Sequence, residues 1–325
     1  MSQANKAKRF VIAVDPLGPP ERLEHGVFAI GNFDGAHLGH RAVIRRTKEL
    51  AAELRAPSAV LTFEPHPADF FAGKPVVFRL TPKAVKARAL EEFGLDGAVI
   101  LTFDAILASL TAEEFIREVL VQRLGVAAVV IGWDFHFGKH RSGSPVFLKE
   151  MSARYGFRVE VIQKIEAAEG FGMQAVSSTA IRRALEAGDV EAAARFLGRD
   201  YAVLGVVVPG QKLGRALGVP TANIALEPTN RLAHGVYAVR VFIEGARYDG
   251  VASFGTRPTV DNGPPLLETF LFGFDGDLYG KTIEVAFVRR IRAERKFESL
   301  DALIAEMNRD KEKARAILAE PGASG

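Results

Sequence analysis

The chain contains no cysteine. That excludes a disulfide-stapled scaffold and thiolate metal centres, and it fits a reducing compartment. No apolar run approaches the length needed to cross a bilayer. The opening segment, MSQANKAKRFVIAVD, is basic but carries only a short apolar stretch, too brief for a secretory leader. A basic block is missing as well. Lysine and arginine total 42 against 39 acidic residues, for a formal net charge of +3. This leaves no footprint for nucleic acid but is compatible with anionic ligands. What remains is the expectation of a cytoplasmic enzyme or small-molecule-binding protein, with neither nucleic-acid nor membrane partners. At 325 residues, nearly half hydrophobic and a quarter charged, the chain is too long for one ordinary core, and two domains are expected.

The most informative stretch is FAIGNFDGAHLGH, residues 28–40. A short buried strand runs into a turn through Gly31, Asn32, Phe33, Asp34 and Gly35, offers His37 and His40, and enters a helix. A glycine turn between strand and helix presents backbone N–H groups to phosphate. The histidines add side chains that donate a proton or share positive charge at a reacting phosphate. A lone surface histidine is usually just solvated; two at this spacing after a glycine turn point to function.

Further along, Val43, Thr47, Leu50 and Leu54 recur at helical spacing. Strands are expected at 58–63, 98–103 and 127–131. Pro65 and Pro67 bracket His66 and predict an extended, rigid turn there. Thr81 and Pro82 start a helix that Gly94 closes, and Thr111 with Glu114 forms a capping box. Strands alternating with helices predict a parallel, doubly wound sheet, whose ligands sit at the carboxyl ends of the strands. The polar turns at 31–40, 64–67 and 132–143 all fall there. In VSSTAIRRALEAGDV (176–190), Ser178 and Thr179 at a helix start, backed by Arg182, make a phosphate cradle. Alone this motif reads first as a cap, the commoner meaning of Ser/Thr before an apolar helix; its place after the last strand of this half, together with the histidine pair, favours the cradle.

From Tyr201 the helical periodicity gives way to β-rich runs at 202–208, 235–243, 248–254, 267–274 and 282–288. Gly, Pro, Asn and Asp clusters separate them, which predicts a small antiparallel barrel. Ser299 opens a final helix with Leu300, Leu303, Ile304 and Met307 on one face. The domain boundary falls within 186–201, in helical rather than flexible chain, giving domains of 1–186 and 187–325. In GRALGVPTANI (214–224), Gly214 and Gly218 let backbone approach a ligand. Thr221 and Asn223 point the same way along an extended run, and their oxygens suit Mg²⁺. Glu268 lies in an otherwise apolar strand. Alternation places it with Phe270 and Phe272, which argues against a plain solvent face.

HxGH after a strand (His37 to His40) resembles the nucleotidylyltransferase signature. The longer GNFDGAHLGH is similar to the adenylyltransferase half of the bacterial bifunctional riboflavin kinase/FAD synthetase family. GRALGVPTANI, FGTRPTV (254–260), Glu268, DLYG (277–280) and RAERKF (292–297), in that order, resemble its riboflavin kinase module. The resemblance implies a nucleotidylyltransferase-like α/β domain followed by a kinase barrel, with riboflavin, FMN and ATP as ligands and Mg²⁺ accompanying ATP. It implies roles for His37, His40 and Arg182 at the ATP phosphates, with Ser178 and Thr179 on the leaving pyrophosphate. Gly31, Phe33, Asp34 and Gly35 would form the nucleotide turn, and Phe63 and Asp134 would contact flavin. In the kinase half it implies Glu268 as base, Thr221 and Asn223 at the metal, Gly214 and Arg215 at phosphate, and Arg292 over bound flavin. Four positions depart from the family pattern. His136 replaces a common arginine and Ser253 a common asparagine, while Phe270 and Gly273 replace a histidine and an aspartate. Two alternatives stay open on sequence: adenylyl transfer alone with the barrel as a flavin-binding scaffold, or a flavin- or RNA-binding regulator without turnover.

Overall fold

The computed structural model describes residues 10–81, 86, 90–165, 175–209, 221–255 and 265–320. They group into two compact units. The first holds residues up to Val77 and Thr81–Val176, and the second Phe78–Leu80 and the chain from Ser177 onward.

The first unit is built on a six-stranded sheet: β1 (Val11–Val14), β2 (Val27–Ile30), β3 (Ser58–Glu64), β4 (Gly97–Thr102), β5 (Ala128–Gly132) and β6 (Arg158–Ile162). Their spatial order is β1-β4-β3-β2-β5-β6, and every pairing is parallel. Strands β2 and β3 are buried along their whole length, as apolar runs sandwiched between helical layers must be. Helix α1 (Leu38–Leu54) follows β2 and packs Val43, Ile44, Leu50 and Ala51 with Val27, Ala29 and Val60 of the sheet. On the opposite face, Phe115, Ile116, Val119 and Leu120 join Phe28, Leu61 and Val129. The Thr111–Glu114 capping box forms as expected.

Two strands were not foreseen. The outer residues of edge strand β1, Ile12 and Val14, are 51% and 62% exposed, and β6 has no fully buried residue. Strand β1 is nonetheless a continuous apolar run, VIAV, like β2, whereas β6 alternates charged residues with its valines. The turn at His66 has the extended backbone expected, with φ −57° and ψ 135°, and leads directly into a helix. His66 caps a short helix, α2 (Pro67–Ala72), its Nδ1 accepting from the Ala68 N–H at 3.1 Å, with Pro67 at the first helical position.

The second unit opens with helices α3 (Ser178–Ala187) and α4 (Val190–Leu197). Helix α3 groups with this unit through bonds such as Ala233 N to Leu185 O and Arg290 Nη1 to Ala187 O. Six antiparallel strands then close a barrel: β7 (Tyr201–Val208), β8 (Ala222–Ala225), β9 (Gly235–Ile243), β10 (Ala246–Gly255), β11 (Leu266–Leu271) and β12 (Thr282–Ala293). Five were expected from hydrophobic runs; β8 adds the sixth. Strand β11 stops at Leu271, so Phe272 and Phe274 lie in the turn beyond it. Ile224, Ala252, Phe254, Leu267, Ile283 and Val285 are fully or almost fully buried. A Cβ on Gly205 would stand 2.2 Å from the Ile224 side chain, which is why β7 carries glycine there.

The terminal helix α5 (Leu300–Ala319), capped by Ser299, covers the outer barrel wall. The leucine face read from sequence is not its anchor: Leu300 is 55% exposed. Its buried residues are Glu306, Asp310, Ala314 and Leu318. Asp310 takes a bidentate bond from Arg292 (2.8–3.1 Å), and Glu306 is approached by Arg292, Arg295 and Arg309. Further along, Ala314, Leu318 and Ile317 pack with Ala238, Val251, Val288 and Phe272. Ion pairing seats one half of the helix and apolar contact the other.

In the first unit, Lys86 Nζ lies 3.2 Å from Glu64 Oε1, both side chains over 90% buried. Replacing Lys86 by methionine removes one partner of a buried ion pair. The expected cost is about 3 kcal/mol, read as a lower urea midpoint with an unchanged slope.

Candidate active sites

Because the sheet is parallel, the carboxyl ends of β2, β3 and β5 lie on one edge. The chain goes to β3 on one side of β2 and later returns to β5 on the other, so the switch in strand order falls between β2 and β5. Both strands empty into glycine turns at that edge, at Gly31 and Gly132.

In the turn after β2, His37 is the N-cap of α1. Its Nδ1 accepts from the His40 N–H at 3.3 Å. With Nδ1 occupied as an acceptor, the neutral ring carries its proton on Nε2. The two imidazoles stack with centroids 3.7 Å apart and planes inclined by 17°. Gly39 permits this: a Cβ there would meet the His37 ring at 3.1–3.2 Å. The first turn of α1 has no acidic residue, so the positive end of the helix is not neutralised locally. Gly39 is the glycine of the HxGH string, and what constrains it is a local contact with the ring two positions before it.

The rest of the turn is held by its own polar groups. Asp34 is buried and accepts from the Thr81 N–H at 2.9 Å, while the Gly35 N–H donates to Thr81 Oγ1 at 3.0 Å. Thr62 Oγ1 donates to the Asn32 carbonyl, and the Asn32 amide meets His66 Nε2 at 3.3 Å. The turns after β2 and β3 are thereby tied to each other and to Thr81. Phe33 and Ala36 have φ of 50° and 48°, in the left-handed region, and Gly35 has 88°. The Phe33 ring, 2% exposed, packs in the α1 side of the core, which offsets the strain of that backbone.

Other predicted positions separate clearly. Phe63 is 9% exposed and packs edge-on to Phe103 and against Phe115, so its ring belongs to the core at the site edge. Asp134 is exposed in the turn after β5, its carbonyl 2.9 Å from His136 Nδ1. Ser178, Thr179 and Arg182 lie in the second unit. Ser177, not Ser178, caps helix α3, accepting from the Ala180 N–H at 3.2 Å. Ser178 and Thr179 thus occupy the first helical turn, and Arg182 Nε donates to the Phe78 carbonyl at 2.7 Å. Gly214 and Arg215 lie outside the described residues.

The barrel builds a second constellation by register. Asn223 pairs with Glu268, Glu268 with Ser253, Ser253 with Val236, and Val236 with Arg292. Residues directly opposite one another in antiparallel strands share a face with Cβ atoms about 5 Å apart. The neighbours of Glu268 in β11, Leu267 and Thr269, are fully buried. Glu268 therefore stands on the outer wall, half-buried, on the face that carries Phe270. That wall is no plain solvent face. Lys311 of α5 lies 4.7 Å over the Phe270 ring, and Phe270 meets Phe272 edge-on at 5.8 Å. Asn223 is 5% exposed, and its Nδ2 donates to the Thr221 carbonyl at 3.4 Å. A threonine hydroxyl, an amide oxygen and a carboxylate form an oxygen-only donor set of the kind Mg²⁺ accepts. Arg292 ends the row, committed to Asp310.

Comparison with known proteins agrees with both halves. Residues 20–180 match the FAD synthetase family model, and residues 197–318 match the riboflavin kinase model. The bifunctional riboflavin kinase/FMN adenylyltransferase of Pseudomonas fluorescens is 44% identical, over 92% of this chain and 95% of that protein. The Escherichia coli K12 protein of the same description is 41% identical over 89% and 91%. A crystal structure described as a macrolide-efflux protein from Streptococcus pneumoniae superposes with a TM-score of 0.82. It is 31% identical and covers 94% of this chain and 99% of that one. Among the described residues no helix is long and apolar enough to cross a membrane. The chain belongs to the bifunctional riboflavin kinase/FMN adenylyltransferase family.

Proposed function

We propose that the two constellations divide the family's two reactions between them, with residues 1–186 serving adenylyl transfer and 187–325 phosphorylation. The observation that carries the assignment is positional. Paired histidines cap a helix at the switch point of a parallel sheet, and a carboxylate stands beside an amide on the barrel wall.

In the first reaction the FMN phosphate attacks the α-phosphorus of ATP and pyrophosphate leaves. A phosphate dianion is already nucleophilic, so the protein's task is alignment and charge stabilisation rather than proton abstraction. His37 suits it. Its Nε2–H donates to a phosphate oxygen while Nδ1 stays bound to the helix, and His40, stacked on it, offers a second imidazole. The positive end of α1 adds a fixed partial charge that needs no reorganisation. Ser178 and Thr179 in the first turn of α3, with Arg182, are the groups for the leaving pyrophosphate. Gly31 and Gly35 keep the nucleotide turn open to backbone donors, Asp34 fixes its shape through Thr81, and Asp134 at the facing turn is the polar contact for flavin.

In the second reaction the ribityl hydroxyl of riboflavin attacks the γ-phosphorus of ATP. A neutral alcohol gains from a carboxylate that accepts its proton as it attacks. Glu268 is that base. Thr221 and Asn223 would hold Mg²⁺, which when bound neutralises charge on the nucleotide phosphates. Gly214 and Arg215 are assigned to phosphate by their motif, and Arg292 to the flavin side of the row. The cysteine-free composition supports a reducing, cytoplasmic setting.

Substituting His37→Ala removes the donor and the helix cap together. FAD formation should fall at least 100-fold, while riboflavin is still converted to FMN, as followed by chromatography of the flavins. Glu268→Gln should do the reverse. Phosphorylation of riboflavin should fall by about 10²–10⁴-fold, and supplied FMN should still be adenylylated. Retention of phosphorylation in Glu268→Gln would remove the base assignment.

A further inference from the structure

Beside the apolar seam of α5, at the end of the helix away from Glu268, the barrel wall opens into a cleft of about 410 Å³. It is lined by Arg247, Tyr248, Asp249, Phe272, Arg315 and Ala319. Phe272 lies four residues beyond Glu268, roughly 13 Å along an extended chain, so the cleft is separate from the base and its neighbours.

Its electrostatics are unusual for a surface otherwise laced with ion pairs. Lys311 and Arg315 are one helical turn apart on α5, where like charges repel. Each lies over an aromatic ring: the Arg315 guanidinium is 4.5 Å from the centroid of Phe272, and Lys311 Nζ is 4.7 Å from that of Phe270. Burial, and secondarily the charge of Arg315, pulls the Lys311 ammonium below its ordinary range. Arg247 brings a third cation from the start of β10. Arg247 Nε forms a long ion pair with Asp249 Oδ1 at 3.9 Å, beyond hydrogen-bond distance. That oxygen is buried and accepts no hydrogen bond. The Tyr248 ring stands edge-on to Phe274 at 5.1 Å.

A cavity with two guanidiniums on its walls, an aromatic ring on its floor and a buried acceptor without a donor has a complementary ligand. We propose that this cleft binds a phosphate ester carried on a planar, N–H-bearing ring. The phosphate bridges Arg247 and Arg315, where guanidinium geometry favours paired oxygens. The ring lies against Phe272 and Tyr248, and a ring N–H donates to Asp249 Oδ1, relieving the cost of a buried acceptor left unmatched. Nucleoside monophosphates and flavin phosphate share this chemistry.

The test is equilibrium dialysis of the full chain against AMP, FMN and inorganic phosphate, repeated on Arg315→Ala and, separately, on Arg247→Ala. Both side chains are surface-exposed, and two independent variants guard against a folding defect in either. The expected result is one equivalent of AMP or of FMN, beyond any held at the catalytic sites, that binds wild type and is weakened at least tenfold in both variants, while catalytic-site binding is unchanged; which compound responds identifies the source of the ring. Equal stoichiometry and affinity in all three proteins overturns the proposal, as does retention of inorganic phosphate alone. Riboflavin turnover measured on the same wild-type sample reports separately on the two catalytic assignments.

Discussion

Strand registration is the constraint from which both sites follow. In the first unit every strand runs the same way, so the turns after β2, β3 and β5 share one edge, and the reversal of strand order opens a crevice between β2 and β5. In the second, antiparallel pairing brings Asn223, Glu268, Ser253 and Arg292 into one row although up to 69 positions separate them in sequence. A slip of one residue in β11 would turn Glu268 into the barrel and Thr269 out to the wall. The apolar residues on either side of Glu268 forbid that slip. Leu267 and Leu271 fill the interior and cannot be exchanged for a carboxylate without burying a charge. Core packing and catalytic geometry are thus set by the same alternation.

Along the edge formed by the turns after β2 and β3, the polar side chains spend much of their bonding capacity on one another. Asp34 accepts from the Thr81 N–H and the Gly35 N–H donates to the Thr81 hydroxyl, Asn32 meets His66, and His37 caps its own helix. Each bond is worth only about 1 kcal/mol net, but together they fix a loop whose backbone visits the left-handed region at Phe33 and Ala36. A turn held this way meets phosphate with its donors already oriented, so the ordering cost falls on folding rather than on the reaction.

Much of this was legible in the amino-acid order. The glycine turn with His37 and His40, the parallel sheet, the barrel and the isolated acid at Glu268 all carry local signals: strand-turn-helix transitions, alternation and a charge among apolar residues. The parts that escaped carry weaker ones. Strand β8 is four residues long inside a Gly- and Pro-rich stretch, and its partners are chosen by the barrel. Edge strands β1 and β6 are only partly covered: β1 is a short apolar run of four residues, and β6 alternates charged residues with its valines. The rings of Phe33 and Phe63 pack with core residues at the site edge; composition alone does not tell how an aromatic ring at a turn will pack.

Helix α5 shows the same limit and also explains two departures from the family pattern. Its sequence displays a leucine face, but the barrel wall it meets offers Arg292 and Arg295, and these select Glu306 and Asp310 as the buried side. Desolvating two carboxylates is costly unless each is met by more than one donor, and the cluster of arginines supplies them. With the helix fixed at that end, Lys311 and Arg315 are carried over positions 270 and 272. A phenylalanine at 270 receives the Lys311 ammonium by cation–π contact, whereas a protonated histidine there would repel it. Gly273, with φ of 68°, adopts the left-handed turn without strain, and aspartate is among the few other residues that tolerate it. Both replacements therefore conserve the geometry of the strand end while changing its charge. They leave the wall beyond Glu268 more cationic, and the row that begins at Asn223 ends on the arginine that secures the helix.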